Sequence, residues 1–440
     1  MIQANPAATP DASAEMPHRP ISKRSMAIAA FSTVVEWYDF TLYLYLATVM
    51  SRVFFGGGSG ALAAVLGGFA VAYLVRPLGA IVFGHIGDRF GRRRMMLLSV
   101  ALMTAAMFAT AVLPTQAQIG PLAGWLLLAL RCVMGFAVGG EYTGVVAYLL
   151  EGARPERRGL VASSASAASE IGALLAVGVS AACVHSLSDV ALDGWGWRIP
   201  FFIGAALAGV VWLARATMQE SPDFQRQVAE GTVPRRPLRH ALAHHRVGII
   251  RGFAISALGS ITYYVGITYV PAFLTTTGTM DEGLSLWLAT IAALAVILVT
   301  PLTGILSDRI GRKPVLIVLA ILAAVLPTTL FILMANGSTL QALFGAVSLA
   351  CVAGGVSAVG AVATAEQFPG EARLTGLALG ATGATAVFGG FAPWVAQRII
   401  DVTGSAMTPG VMIAVVALCV LPILMLAPET APGRGSAARR

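Results

Sequence analysis

The sequence predicts an all-α membrane protein of twelve transmembrane helices, arranged as two pseudo-symmetric six-helix halves. Three observations predict it: too little charge for a water-exposed surface, apolar runs of spanning length along the whole chain, and one loop motif that occurs twice at matching places. The chain is 57% hydrophobic and 11% charged, whereas a soluble domain carries about 25% charged residues. A bilayer-crossing helix needs about 20 mostly apolar residues. Runs of that size lie near 26–50, 61–84, 95–113, 120–150, 160–185 and 199–217, then near 248–273, 283–304, 315–335, 338–362, 374–399 and 408–427. Backbone groups in lipid have no water to bond and β-barrel alternation is absent, so these runs are helices. The chain thus divides into a tail (1–24), a first half (25–217), a central loop (218–247), a second half (248–427) and a closing tail (428–440). No cleavable signal peptide is expected, because the first apolar run starts late and continues too long.

Lys and Arg in the short loops set the orientation. One side holds Arg89, Arg92, Arg93, Arg94, Arg154, Arg157 and Arg158, with Arg226, Arg235, Arg236, Arg239, Arg246, Arg309, Arg312 and Lys313 further on. The other holds Arg52, Arg198 and Arg398. Both termini are therefore expected in the cytoplasm, with the chain in the cell's inner membrane. The net charge of +8 then serves insertion and contact with anionic lipid headgroups, and no nucleic-acid partner is expected. Cys132, Cys183, Cys351 and Cys419 all fall inside apolar runs, far apart, as packing residues do.

Residues 84–94 read Gly-His-Ile-Gly-Asp-Arg-Phe-Gly-Arg-Arg-Arg, and residues 304–314 read Gly-Ile-Leu-Ser-Asp-Arg-Ile-Gly-Arg-Lys-Pro. Both follow the second run of their half, with Asp88 and Asp308 220 positions apart. A second matched pair follows the fourth run of each half: Glu151 with Pro155 to Gly159, and Glu366 with Pro369 to Arg373. Matched loops in matched halves indicate a duplicated six-helix unit. The loop reads as a cytoplasmic latch: an Asp at a helix end accepts bonds from neighbouring helix N-termini and pairs with arginine, while glycines allow the turn. Asp88, Arg89, Arg92, Asp308, Arg309 and Arg312 are the candidate gate residues, with Glu141 beside them.

This duplicated loop resembles the signature of the major facilitator superfamily. Glu36-Trp37-Tyr38-Asp39-Phe40, Arg76-Pro77-Leu78-Gly79, Arg131 with Gly135, Gly139, Gly140 and Glu141, Gly196 to Phe201, and Glu220 to Phe224 narrow it. Together they resemble the metabolite–proton symporter family, whose members carry citrate, 2-oxoglutarate, shikimate, or proline and betaine. Phe388 to Pro393 and Tyr263-Tyr264 with Tyr269 and Pro271 resemble its citrate and betaine branches. The resemblance implies uptake of a small polar metabolite with protons by alternating access. It implies no cofactor beyond the proton gradient, and a monomer is expected. The fifth run, Ser163 to Gly172, has no proline, unlike the Gly-Pro-rich motif of drug–proton antiporters; export or exchange is the weaker alternative. The sequence has no H-E-x-x-H, no G-x-S-x-G and no Walker loop, so neither an enzyme nor an ATP-driven pump is expected.

Ionisable groups within spans are costly and mark function. Counting from the cytoplasmic helix ends, Asp39 and Arg131 come out roughly 20–25 Å deep, and Glu36, Arg76, Glu141 and Glu170 roughly 10–15 Å deep. These groups lie in the first half, while the second offers Tyr263, Tyr264, Tyr269, Trp394 and Gln397. The first half is therefore expected to handle the proton, through Asp39, Arg131, Glu36 and Glu170. An Asp39–Arg131 contact that makes and breaks would bind and release it; a permanent pair that only fixes packing is the alternative. Glu36, Asp39 and Tyr43 share one helical face. Arg76, Arg131, Tyr43, Tyr263, Tyr264 and Trp394 are the candidate substrate contacts. Arginines suit a di- or tricarboxylate, whereas an ionised Glu170 would suit a zwitterion or cation. His240 and His244 have helical metal-ligand spacing but no carboxylate or cysteine nearby in the chain, so no metal is expected.

Overall fold

A computed structural model of the protein describes residues 21–57, 60–234, 237–277, 280 and 282–431. Residues 1–20 and 432–440 of the tails, Gly58 and Ser59 of the glycine run, and the loop arginines Arg235 and Arg236 lie outside the described residues. The spanning segments of the first half are α1 (Lys23–Tyr45, continued by Ala47–Phe55), α2 (Ala61–Phe90), α3 (Arg92–Ala111), α4 (Leu122–Gly152), α5 (Arg158–Ser186) and α6 (Arg198–Ala216). Those of the second are α7 (Arg246–Thr268, continued by Val270–Thr276), α8 (Glu282–Ile310), α9 (Arg312–Asn336), α10 (Thr339–Ala365), α11 (Gly370–Ile400) and α12 (Thr408–Leu426). Two short helices, Pro222–Glu230 and Pro237–His244, join the halves.

Eleven of these segments are long and apolar enough to cross a membrane by length and composition. α1 falls short because Glu36, Asp39 and its tyrosines lower its hydropathy, and it breaks at Leu46. Each half has its own apolar core. Leu42, Met50, Met103, Leu127 and Phe201 centre the first; Leu258, Phe273, Leu330 and Leu349 centre the second. A third cluster, with Phe83, Met95 and Tyr148 against Leu374 and Leu377, joins the halves at the face that carries the repeated loops. That face is called the basic face below. The halves meet along α5 against α8 and α2 against α11.

Lipid tails are as apolar as leucine, so helices in a membrane associate through close packing, which small residues permit. The α2–α4 crossing shows this. A Cβ on Gly79 would sit 1.9 Å from the Phe136 carbonyl oxygen, one on Gly135 2.2 Å from that of Ala72, and one on Gly139 2.2 Å from that of Arg76. The contact sets the position of Arg76 on α2 relative to Arg131 on α4. Gly139→Val therefore has to push two backbones apart. We expect the variant to lose at least about 1–3 kcal/mol, seen as a lower melting temperature in detergent. Gly178→Ala, whose Cβ meets nothing within 4 Å, is expected to melt like the parent.

Candidate functional site

At the basic face each position of the repeated loop has a physical assignment. The first glycine allows close approach: a Cβ on Gly304 would lie 2.7 Å from the Gly159 carbonyl oxygen, and one on Gly84 3.2 Å from the Thr375 Cα. The second glycine takes a backbone conformation that side chains resist, with φ of 105° at Gly91 and 108° at Gly311. Between them, the Asp88 carboxylate accepts the backbone N–H groups of Leu374 (3.4 Å) and Thr375 (2.8 Å) at the start of α11. Asp308 accepts those of Gly159 (2.7 Å) and Leu160 (2.9 Å) at the start of α5. Each carboxylate thus crosses to the other half and sits where helix N–H groups lack partners and the dipole favours an anion.

Buried arginines back both carboxylates. Arg92 lies 3.1 Å from Asp88 and 3.2 Å from Glu151; Arg312 lies 2.7 Å from Asp308 and 3.4 Å from Glu366. Two further carboxylates cap the helices that follow. Glu220 accepts the Arg92 and Arg93 N–H groups at 2.9 and 3.2 Å, and Glu429 those of Arg312 and Lys313 at 2.9 and 3.1 Å. Burial pushes the Glu220 carboxyl up in pKa, against the downward pull of those N–H donors. The first copy has additional ties across the halves: Arg92 donates to the Gly370 carbonyl, and Arg373 lies 2.8 Å from Glu151.

Between the latch and the middle of the helices lies a cavity of about 190 Å³ walled by both halves. Glu36, Arg76 and Glu170 contribute from the first half, Tyr263 and Tyr264 from the second. Tyr263 and Tyr264 are successive on α7, so they diverge by about 100° and reach different helices. Tyr263 donates to Glu170 of α5 at 2.5 Å, and the Tyr264 hydroxyl meets the Tyr73 hydroxyl of α2. Tyr264 opens a π-helical turn, Tyr264–Thr268, a distortion common at functional sites. Tyr73 precedes Asp88 by fifteen residues of α2, about 22 Å of helix, so the tyrosine pair closes the cavity's end remote from the latch. Nearer the latch, Tyr142 and Ser166 hydroxyls lie 2.8 Å apart, and Ser166 lies 3.4 Å from Ser357 across the halves.

Arg76 has a long carboxylate contact and lies against the Phe40 and Tyr73 rings. One Nη lies 3.4 Å from Glu36, the other Glu36 oxygen is buried without a partner, and the guanidinium stacks 4.5 Å over the Tyr73 ring. Asp39 and Arg131 form a two-point pair at 2.8 and 3.3 Å. They line a separate cavity of about 30 Å³ inside the first half, whose walls also include Glu36, Tyr73 and Arg76.

Several expected placements need correction. Arg131 and Tyr43 border only the smaller cavity, and the Tyr43 hydroxyl donates to the Val65 carbonyl at 3.1 Å. Trp394 is 63% exposed and outside the central lining, since its face of α11 turns outward. Glu141 does not reach across the gate. It is buried within the first half against Arg215, with Ser99 donating to it at 2.6 Å. Arg89 and Arg309 are exposed, unlike the buried Arg92 and Arg312. Sequence reasoning missed Arg215, which resembles one more loop arginine at the end of a span, and Tyr73, one turn before Arg76.

Two six-helix halves that meet around a central cavity, each bonded to the other by a repeated loop at one face, have the architecture of a membrane transporter. The chain belongs to the major facilitator superfamily, and to its metabolite–proton symporter family. Residues 25–240 match the family described as "Sugar (and other) transporter", and residues 267–440 match "Major Facilitator Superfamily". The alpha-ketoglutarate permease of Escherichia coli strain K12 is 34% identical over 84% of this chain and 86% of its own. The ectoine/proline transporter of Corynebacterium glutamicum is 32% identical over 86% of this chain and 78% of its own. In structure, the proton:xylose symporter XylE superimposes with a TM-score of 0.77 at 21% identity, covering 92% of this chain and 96% of its own.

Asp88→Asn removes a charged acceptor from two buried N–H groups and leaves Arg92 undercompensated. Hydrogen bonds to charged groups contribute about 1.5–3 kcal/mol, so the population open at the basic face should rise tenfold or more. A cysteine at Thr364, on the cavity wall, should then react with an impermeant maleimide applied to that face about tenfold faster. An unchanged rate would assign the loop a folding role only.

Proposed function

We propose that the protein is a proton-coupled importer of a small organic acid, a di- or tricarboxylate, driven by the proton gradient without a bound cofactor. The observation that carries this is Arg76: a guanidinium in the cavity wall whose one carboxylate contact, Glu36 at 3.4 Å, is long. A proton on Glu36 removes that competitor and leaves Arg76 free to pair with a substrate carboxylate, so proton and anion favour each other. The smaller cavity gives the proton a route from Glu36 to Asp39, one helical turn away, where it would release Arg131. The ketoglutarate permease supports a carboxylate. The basic face is taken as cytoplasmic, with both termini inside an inner membrane, because basic loops are retained there. The protein is proposed to act as a monomer.

Glu170 favours a second reading. It lies in the same wall as Arg76 and faces Tyr263, so an ionised Glu170 could hold the cationic end of a zwitterion whose carboxylate meets Arg76. The ectoine/proline relative fits that arrangement. In a thermal-shift screen of purified protein, dicarboxylates should stabilise the parent and lose at least tenfold in apparent affinity with Arg76→Ala. Stabilisation by proline or betaine and by no carboxylate would replace the first reading with the second.

Coupling is tested in proteoliposomes. Asp39→Asn mimics the protonated state, so counterflow should persist while accumulation driven by a pH gradient falls to equilibration. Glu36→Gln should lose accumulation in the same way. If Asp39→Asn still concentrates substrate, the Asp39–Arg131 pair only fixes packing, and Glu36 and Glu170 remain as coupling groups.

A further inference from the structure

The basic face carries a group of side chains that neither latch nor cavity uses. His240 lies midway along the linking helix Pro237–His244, His245 precedes α7, and Glu371 lies in the turn that opens α11. One ligand atom from each lies within 4.8 Å of the others, and all three side chains are half-buried. His240 Nε2 is buried without a hydrogen-bond partner. The sequence spacing suggested His240 with His244 and offered no carboxylate. The fold replaces His244 with His245 and brings Glu371 from about 130 positions away, through the packing of the linking helix on the start of α11. His244 is exposed, and its Nδ1 lies 3.2 Å from the His240 carbonyl.

Two imidazoles and one carboxylate with an open position suit Zn²⁺ bound at about 2.0–2.2 Å, with water as a fourth ligand. Ligand atoms around a tetrahedral ion lie about 3.3–3.5 Å apart, so this set closes by little more than 1 Å on binding, a movement within the reach of half-buried side chains. Soft or borderline cations are preferred to Mg²⁺, which favours oxygen ligands.

We propose that His240, His245 and Glu371 bind one divalent transition cation of the Zn²⁺ type, and that the bound ion holds the basic face closed. The closing action follows from position. Glu371 lies between Gly370, whose carbonyl accepts Arg92, and Arg373, which pairs with Glu151. The linking helix that carries His240 packs on both α2 and the start of α11. An ion joining the two histidines to Glu371 ties that helix to the very turn gripped by the latch.

The test uses full-length protein without a histidine tag, stripped with a chelator. Calorimetric titration with ZnCl₂ should show one site per chain. Co²⁺ substitution should give the intense visible absorption of a tetrahedral complex, and Mg²⁺ should give no binding. His240→Ala, His245→Ala and Glu371→Gln should each weaken Zn²⁺ at least tenfold, while His244→Ala binds like the parent. In proteoliposomes, Zn²⁺ at the basic face should slow counterflow several-fold in the parent and leave His240→Ala unaffected. Absence of stoichiometric binding, full binding in the three ligand variants, or equal loss in His244→Ala would overturn the site. Binding that leaves the parent's counterflow unslowed would overturn the closing action. The calorimetric arm needs no assumption about the transported substrate, so its outcome is separate from that of the transport reading.

Discussion

The structure depends on one interaction made twice: an aspartate from one half lying on the open N–H groups of a helix in the other. Asp88 on α11 and Asp308 on α5 are the points where polar backbone and polar side chain satisfy each other across the seam. Helix ends leave N–H groups without intrahelical partners, and in a dry interface each would cost free energy. The aspartate supplies the missing acceptor and the helix dipole stabilises its charge. When the face opens, water can take over both roles. The bond is therefore strong in the dry seam and replaceable by water, which a purely apolar contact would not be.

The buried carboxylates fall into two groups by how completely they are matched. Glu141 receives Arg215, Ser32 and Ser99, all within the first half. Removing any one partner would strand charge in a low-dielectric site, so this cluster resists change and fixes α1, α3, α4 and α6 together. Glu36 has one long contact and one unpartnered oxygen, and Glu170 has a single tyrosine. Groups left this incomplete gain most from a new proton or ligand. The matched cluster holds four helices together and the incomplete groups keep unfilled bonding capacity in the cavity wall, a division that depends on partners more than on depth.

Much of this was legible in the sequence because it rests on local pattern. Apolar runs gave the spans, and the repeated loop gave the duplication and the acceptor role of Asp88 and Asp308. Residue type and depth also marked Glu36, Arg76 and Glu170. What was not legible is where helix rotation decides. Trp394 looked like a cavity aromatic until its helical face turned outward. Arg131 of α4 and Asp39 of α1 are deep, yet the two helices turn them toward each other inside the first half. Arg215 sits at a helix end where sequence suggests a loop arginine, and its burial follows only from the closeness of α1, α3 and α4. Glu371 is far from the histidines in the chain and near them only after α11 packs.

The cavity's charge also bears on substrate choice. With Glu36 and Glu170 both ionised against Arg76, its wall carries a net negative charge, and a free dicarboxylate would meet repulsion. One proton on Glu36 brings the wall to balance, and a second on Glu170 makes it positive. On the proposed reading, the number of protons resident when substrate arrives decides whether the site favours a neutral zwitterion, a monoanion or a dianion. On that reading, selectivity rests on the protonation of Glu36 and Glu170 beside Arg76 and Tyr263 as much as on the shape that surrounds the substrate.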